Sequence, residues 1–413
     1  MKKTLLLSVV ASTMIMAGGD IAPVEPVVEA PVEVSGWEFG GQAVAYYQTR
    51  DGAFDLFEQE ASRANVGIQL RATNKDVFWG IGAGVEVNGL GTFGLQEDVV
   101  AGVMQMANTS NTVGQGGWIS QAYLTYGFAN TTLKAGRQEL PKALSPFAFS
   151  EGWNVFKNTF DAALIVNSSL PDTTLVGAWV AKANQNGVST DMSNFVSVNP
   201  DGAGFSSGDL DGTDQGIFML TAQNGSIDGL TLTGTYYYAN ELVGADDAHI
   251  LWGDAKFALA SFNIALQGGT VMSDGFANDT VAYGAKIGGN FGMFDASLAY
   301  SGVDDGDSGV FNVGGVKTPL YTQMILNQGV IASDNDTIVA RAGMKALGGK
   351  FGVAFDYTTS DVRDDYTELD LTYKTKVFND STTLFAGYVY TDFDDAADVD
   401  AQNMIRVWGR YNF

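Results

Sequence analysis

Arg63-Ala64-Asn65-Val66-Gly67-Ile68-Gln69-Leu70-Arg71-Ala72 alternates without a break: Ala64, Val66, Ile68, Leu70 and Ala72 fall on one side, Arg63, Asn65, Gln69 and Arg71 on the other. A period of two marks a β-strand whose faces meet different surroundings. Just upstream, Gly36 to Thr49 places Trp37, Phe39, Ala43, Ala45 and Tyr47 on one face and Glu38, Gln42 and Tyr46 on the other. Trp37 and Tyr47 stand roughly 33 Å apart at the usual strand rise. A tilt near 40° reduces that to about 25 Å, the height of a membrane barrel's apolar band with an aromatic girdle at each rim. Downstream, Thr73-Asn74-Lys75-Asp76 reads as a tight turn. Trp79, Ile81, Ala83, Val85 and Val87 are then expected to face out, with Glu86 and Asn88 facing in.

The same grammar runs to Phe413. Trp118–Phe128 pairs with Thr131–Gln138 across Ala129-Asn130, and Thr159–Asn167 pairs with Thr173–Lys182. Asp214–Gln223 is followed by Gly229–Ala239, Ile250–Phe257 by Phe262–Thr270, and Thr280–Asn290 by Phe294–Ser301. Thr337–Ala346 with Phe351–Ser360, then Tyr366–Val377 with Thr383–Asp392, precede the closing segment Gln402–Phe413. Tight turns alternate with longer, acidic, Gly-rich loops. The expected fold class is therefore all-β, a transmembrane antiparallel β-barrel of about 18 strands. An even count returns both ends to one rim, which places short turns in the periplasm and long loops outside. A soluble sandwich also alternates, but it packs its apolar face and wets the other. Here aromatics gather at strand ends, and the middle of the apolar face is nearly free of charge.

Composition narrows the possibilities further. A net charge of -25 sets this chain against nucleic acid and anionic surfaces, both of which would repel it. Without Cys there is no disulfide scaffold, lipidated cysteine or thiolate metal site. Lys2 and Lys3, the apolar stretch Leu5 to Met16 and Ala17-Gly18-Gly19 read as a signal peptide over 1–17. Residues 18–35 repeat Pro, Val and Glu, an extended periplasmic tether, and 36–413 form the barrel. Beyond the signal no run approaches the ~18 apolar residues of a membrane helix.

A barrel this wide encloses water, so its inward residues decide what passes. By register the inward bases are Arg63, Arg71, Lys134, Lys256, Lys286, Arg341, Lys345, Lys374, Arg406 and Arg410. The inward acids are Glu86, Asp254, Asp295, Asp356, Glu368 and Asp370. Either these cations guide anionic groups inward, or they are polar simply because they touch water and neutralise their neighbours. Arg137 has outward parity unless a bulge re-aims it. The remaining acids crowd the loops at Asp304-Asp305-Gly306-Asp307, Asp361 with Asp364-Asp365, and Asp392 with Asp394, Asp395 and Asp398. They suit either a solvated acidic mouth or Ca²⁺; no other cofactor is expected. His249 beside Asp246 and Asp247 is the only His, and no nucleophile elbow accompanies it, so no enzyme is expected.

Leu133-Lys134-Ala135-Gly136-Arg137-Gln138, then Pro141, Trp153-Asn154, Lys157-Asn158-Thr159-Phe160-Asp161 and Leu170-Pro171-Asp172-Thr173-Thr174-Leu175-Val176-Gly177, resemble the OprD-like porins, in particular the major outer-membrane porins of Campylobacter-type bacteria. Elsewhere the agreement is of pattern only. The resemblance implies a trimeric channel in the bacterial outer membrane whose third loop, here 139–158, enters the lumen and sets its narrowest point. Phe147, Phe149, Trp153 and Phe156 of that loop would pack on the inner wall; the alternative is that they cap the rim or meet a neighbouring subunit. Phe413 and Tyr411, with Val407 and Ile405 on the same face, look like the signal read by outer-membrane assembly machinery, although Gly409 departs from it. The expected function is passive diffusion of ions and small hydrophilic solutes, with lipid and a homotrimer as partners. The alternative is a surface adhesin whose long loops bind external partners. Apolar stretches in loop 2 (Val99-Val100-Ala101-Gly102-Val103-Met104) and loop 7 (Met324-Ile325-Leu326) leave two destinations open, between subunits or inside the barrel.

Overall fold

The computed structural model describes residues 36–107, 115–198, 216–243, 246–394 and 401–413. The expected signal peptide and tether lie outside the described residues. The strands are β1 (Glu38–Arg50), β2 (Ser62–Phe78), β3 (Ile81–Gly91), β4 (Gln105–Met106), β5 (Gly116–Phe128), β6 (Thr131–Gln138) and β7 (Phe160–Asn167). They continue with β8 (Thr173–Ala183), β9 (Thr190–Asp191), β10 (Val196–Ser197), β11 (Ile217–Ile227), β12 (Leu230–Val243), β13 (Asp246–Leu259) and β14 (Phe262–Ser273). The last are β15 (Thr280–Phe291), β16 (Phe294–Val303), β17 (Asn335–Ala346), β18 (Gly349–Thr359), β19 (Tyr366–Val377), β20 (Thr382–Phe393) and β21 (Gln402–Asn412). The two-residue segments β4, β9 and β10 belong to loops, and the other 18 form one closed antiparallel barrel. β21 returns to β1 with Ala43 opposite Tyr411. The seam is finished by Gly41 N–H to the Phe413 carbonyl at 2.9 Å and Phe413 N–H to the Gly41 carbonyl at 3.1 Å.

The quoted stretch behaves as its alternation dictates. Ile68 and Leu70 on β2 are nearly half exposed, whereas Asn65 and Gln69 are buried. Leu124, Leu220, Leu251 and Ile338 repeat this around the ring. In water each such side chain would forgo about 1.5–3 kcal/mol of burial. Against acyl chains the same exposure costs nothing, and closure leaves no strand edge unpaired.

The two rims differ. On the turn rim Trp79, Leu347 and Phe378 stand at turn tips with φ of 52°, 53° and 52°. On the loop rim tyrosines reach acids or amides of neighbouring segments: Tyr357 to Asp365 at 2.6 Å, Tyr388 to Asn403 at 2.6 Å, Tyr238 to Asp247 at 2.9 Å. One expectation is corrected here. Thr73 to Asp76 lie inside β2, and the turn is Trp79-Gly80, so Trp79 sits at a tip instead of on the outer wall. The turn-forming side chains brace the hairpin end: Asn74 Oδ1 accepts from Asp76 N–H and Asp76 Oδ1 from Gly80 N–H, each at 2.9 Å.

Candidate functional site

The interior is built by loops that enter from the loop rim. Loop 3 (139–159) crosses the lumen. At one end Phe147 meets Trp252 on β13 at 5.2 Å and Tyr237 on β12 at 5.8 Å, both edge-on. At the other, Phe156 meets Trp118 on β5 at 6.0 Å. Phe156 packs closely against β2 because residue 67 is Gly; a Cβ there would come within 2.6 Å of the ring. Arg410 on β21 donates to the carbonyls of Val155 at 2.8 Å and Asn154 at 2.6 Å, and Tyr46 Oη donates to the Trp153 carbonyl at 3.1 Å. Phe147, Phe149, Trp153 and Phe156 are all buried.

Loops 2 and 7 turn inward too. Asn65, an inward residue of β2, accepts from Met104 N–H at 2.8 Å and Gln105 N–H at 2.9 Å. Gln105 in turn donates to the Phe156 carbonyl at 2.8 Å, tying loop 2 to loop 3. Loop 7 (304–334) lies over β17, β18 and β19. The Arg341 guanidinium donates to the carbonyls of Tyr321, Thr322 and Gln323, the last at 2.9 Å. Asp356 accepts from Asn327 Nδ2 at 2.6 Å, and Glu368 from Leu326 N–H at 2.8 Å.

Glu151, a residue the sequence did not single out, joins loops 3 and 7. Its carboxylate accepts from Lys317 N–H at 2.7 Å, Asn312 Nδ2 at 2.8 Å, Trp153 Nε1 at 2.8 Å and Val316 N–H at 3.2 Å. Gly315 makes room for it, since a Cβ there would lie 2.1 Å from the carboxylate. Beside it, Lys142 Nζ donates to the Thr318 carbonyl at 2.9 Å, and Lys317 Nζ to the carbonyls of Ile325 at 2.7 Å and Met324 at 2.9 Å. Burial lowers both amines, Lys142 to about 7 and Lys317 to about 8, against the partial support of Glu151.

The remaining inward charges divide by exposure. Glu86 is buried and accepts from Arg71 Nε at 2.8 Å, Gln69 at 2.9 Å and Ser120 at 2.7 Å, while Arg71 stays half exposed. Ser120 reaches it because the β3–β5 register slips there, leaving one extra residue on β5. Lys256 is likewise half exposed beside Asp254 at 3.1 Å, and Tyr321 of loop 7 also holds that acid. Lys134 lies 3.9 Å over the Tyr123 ring, and Lys374 lies 5.7 Å from Trp408. Lys286, on the inward side of β15, is half-buried. Arg406 is buried, held by Gln48 at 2.8 Å and 5.5 Å from the Trp153 ring. Arg63 packs against Gly102 of loop 2. Lys345 is exposed at the turn end of β17, whereas its cross-strand partner Lys350, absent from the expected set, is buried on Asp295 at 2.6 Å.

Arg137 keeps its outward parity and forms a two-bonded pair with Asp161, at 2.8 and 3.1 Å, beneath the Phe195 ring. His249 Nδ1 is hydrogen-bonded to Tyr236 Oη at 2.7 Å on the outer face. Of the acidic loops, Asp304 accepts from Val281 N–H at 2.8 Å, and 395–400 lie outside the described residues. Among the described residues no cluster of three or more metal-ligating side chains forms. The Tyr411 and Phe413 rings lie 5.9 Å apart, tilted by 34°, and half exposed on the outer face at the seam.

No family model and no curated protein matches the chain. Solved structures do match its fold. Pseudomonas aeruginosa OccK8 (OprE) superimposes with a TM-score of 0.71 at 14% identity, over 91% of this chain and 98% of that one. Acinetobacter baumannii OccAB3 gives 0.70 at 16% identity, over 91% and 99%. Pseudomonas aeruginosa OpdK, solved with vanillate, gives 0.69 at 12% identity, over 91% and 98%. At these identities the likeness establishes the fold, which is that of OprD/Occ-type outer-membrane porins.

Proposed function

We propose that this protein is an outer-membrane porin that passes small hydrophilic solutes by passive diffusion and favours anionic ones. One observation carries the preference. The interior acids Glu86, Glu151, Asp356, Glu368 and Asp370 are buried, and Asp254 and Asp295 are largely covered beside Lys256 and Lys350 at 17% and 19% exposure, while Arg71 and Lys256 are half exposed and Lys134, Lys286 and Lys374 remain partly open. The surface a solute meets is therefore cationic although the whole chain carries -25. Cations lining a narrow, low-dielectric passage select far more strongly than the same charges at a wide mouth. OpdK was solved with vanillate, a carboxylate of the class such a wall would favour. A Campylobacter-type trimer in the bacterial outer membrane, recognised at its seam by the assembly machinery through Tyr411 and Phe413, belongs to the same reading. So does the absence of an enzymatic role.

Planar-bilayer recording in a KCl gradient tests it. The reversal potential should have the sign of Cl⁻ preference, and organic carboxylates should carry or block the current. Absence of conductance steps from folded protein, or K⁺ preference at high salt, where the acidic mouth is screened, would sink the proposal.

A further inference from the structure

Loop 1 (51–61) meets the first part of loop 2 (92–101) at the loop ends of β1–β3. Phe57 is 63% exposed and Phe93 84% exposed. Both hold left-handed backbone, with φ of 70° and 54°, which bulky residues adopt only where the surroundings impose it. The surroundings do impose it. Phe57 N–H donates to Thr49 Oγ1 at 2.9 Å. Gln59 Nε2 bridges to the Gln96 carbonyl at 2.9 Å, Ala101 N–H returns to the Gln59 carbonyl at 2.8 Å, and Val100 is fully buried beneath. Thr92 and Gln96 are hydrogen-bonded across the short helical turn Leu95–Glu97. Two strained loops are thus pinned together with their rings turned to solvent. In the same two loops Asp55, Glu58, Glu60, Glu97 and Asp98 are exposed.

We infer that this surface is a docking site for a cationic amphipathic polypeptide segment, whose apolar side chains cover Phe57 and Phe93 while Lys or Arg meets the acids. Charge decides among the possible occupants. A second copy of the chain would bring the same carboxylates face to face, and an anionic lipid layer would be repelled. A rigid, preformed surface loses little entropy on binding, which suits aromatic anchors inside a charged rim. The inference does not depend on what the passage conducts.

The test uses the full chain in nanodiscs of zwitterionic lipid, with empty nanodiscs as reference. The probe is a labelled peptide of Lys and Leu at helical spacing, read by fluorescence anisotropy; Lys/Ser and Glu/Leu peptides are the controls. The Lys/Leu peptide should bind at least about tenfold tighter than either control. The double variant Phe57→Gly, Phe93→Gly should remove that advantage with conductance unchanged. Glycine is unstrained at positive φ, so this variant does not fail for backbone reasons. Glu58→Lys with Glu97→Lys should transfer preference to the Glu/Leu peptide. The inference is overturned if the double variant binds as the parent does, or if the Glu/Leu peptide binds the parent equally well. It is also overturned if the double variant changes only the oligomeric state or only lipid retention, which would assign the rings to a second copy or to the membrane.

Discussion

Two stretches of the inner wall have the same alternation and opposite fates. On β17, β18 and β19, Arg341, Asp356, Glu368 and Asp370 are sealed behind loop 7. On β2, β6 and β13, Arg71, Lys134 and Lys256 are left facing the passage. The first group satisfies its hydrogen bonds with loop backbone and amides, as buried polar groups must. Two groups fall outside this: Arg341 Nε has no acceptor, and the Asp370 carboxyl is buried against Glu368, the neighbour that acts on it most strongly, with Lys317 and Arg341 as the nearby cations. Inward polarity therefore does two jobs, anchoring a loop or meeting a solute, and what lies above a residue decides which.

The anchoring side should give the largest effects. Glu151→Ala strips the acceptor from four donors shared by loops 3 and 7. A loss of about 3–5 kcal/mol is expected, the usual cost of breaking a buried charged contact. It should appear as a lower Tm together with larger, noisier conductance steps; steps of unchanged size would show that the loop junction does not limit flow. Trp153→Ala should cost about 3 kcal/mol and also raise conductance. If it leaves conductance alone, the narrowest point lies elsewhere than loop 3.

Charge substitutions sharpen the contrast between the walls. Arg71→Gln combined with Lys256→Gln should lower the Cl⁻/K⁺ permeability ratio about two- to fivefold, matching ~0.5–1 kcal/mol of lost attraction. Arg341→Gln should instead lower Tm and leave that ratio nearly unaltered. Equal selectivity changes from both would erase the distinction between the two walls.

The smallest expected effect is on pH. Lys142 and Lys317, lowered by burial to about 7 and about 8, lose their charge as pH rises across that range. Because both amines anchor loops instead of facing the passage, the permeability ratio should change little from pH 6 to 9 while thermal stability shifts, and Lys142→Gln should remove the part of that shift centred near 7. Between those values and the ordinary lysine value the folded protein binds fewer protons than the unfolded chain. Stability therefore rises with pH through that window, and a fall measured there would contradict the assignment.

The barrel was legible because lipid on one side and water or loops on the other enforce a period of two. The hairpins Phe128 to Thr131 and Phe291 to Phe294 needed nothing more than their turns. The first turn misled because Asn74 and Asp76 spend their turn chemistry on bracing a hairpin whose tip lies beyond them. Parity could place Arg341 and Arg71 on the same side of the wall. It could not separate them, because a residue meeting water and one meeting a loop are written alike. Glu151, Lys317 and Asn312 carry no periodic signal at all: they lie in irregular loops whose path follows from contacts across more than 150 residues, such as Asn312 to Glu151. Met324 and Ile325 did carry a signal, an apolar stretch inside a polar loop, and both are buried inside the barrel.

Loop 3 is pinned at Phe147 to β12 and β13 and at Phe156 and Asn154 to β2, β5 and β21. It works as a strut across a hoop. A lateral squeeze that ovalised the cylinder would shift one abutment relative to the other, so an aperture bounded by this loop would answer to the mechanical state of its membrane.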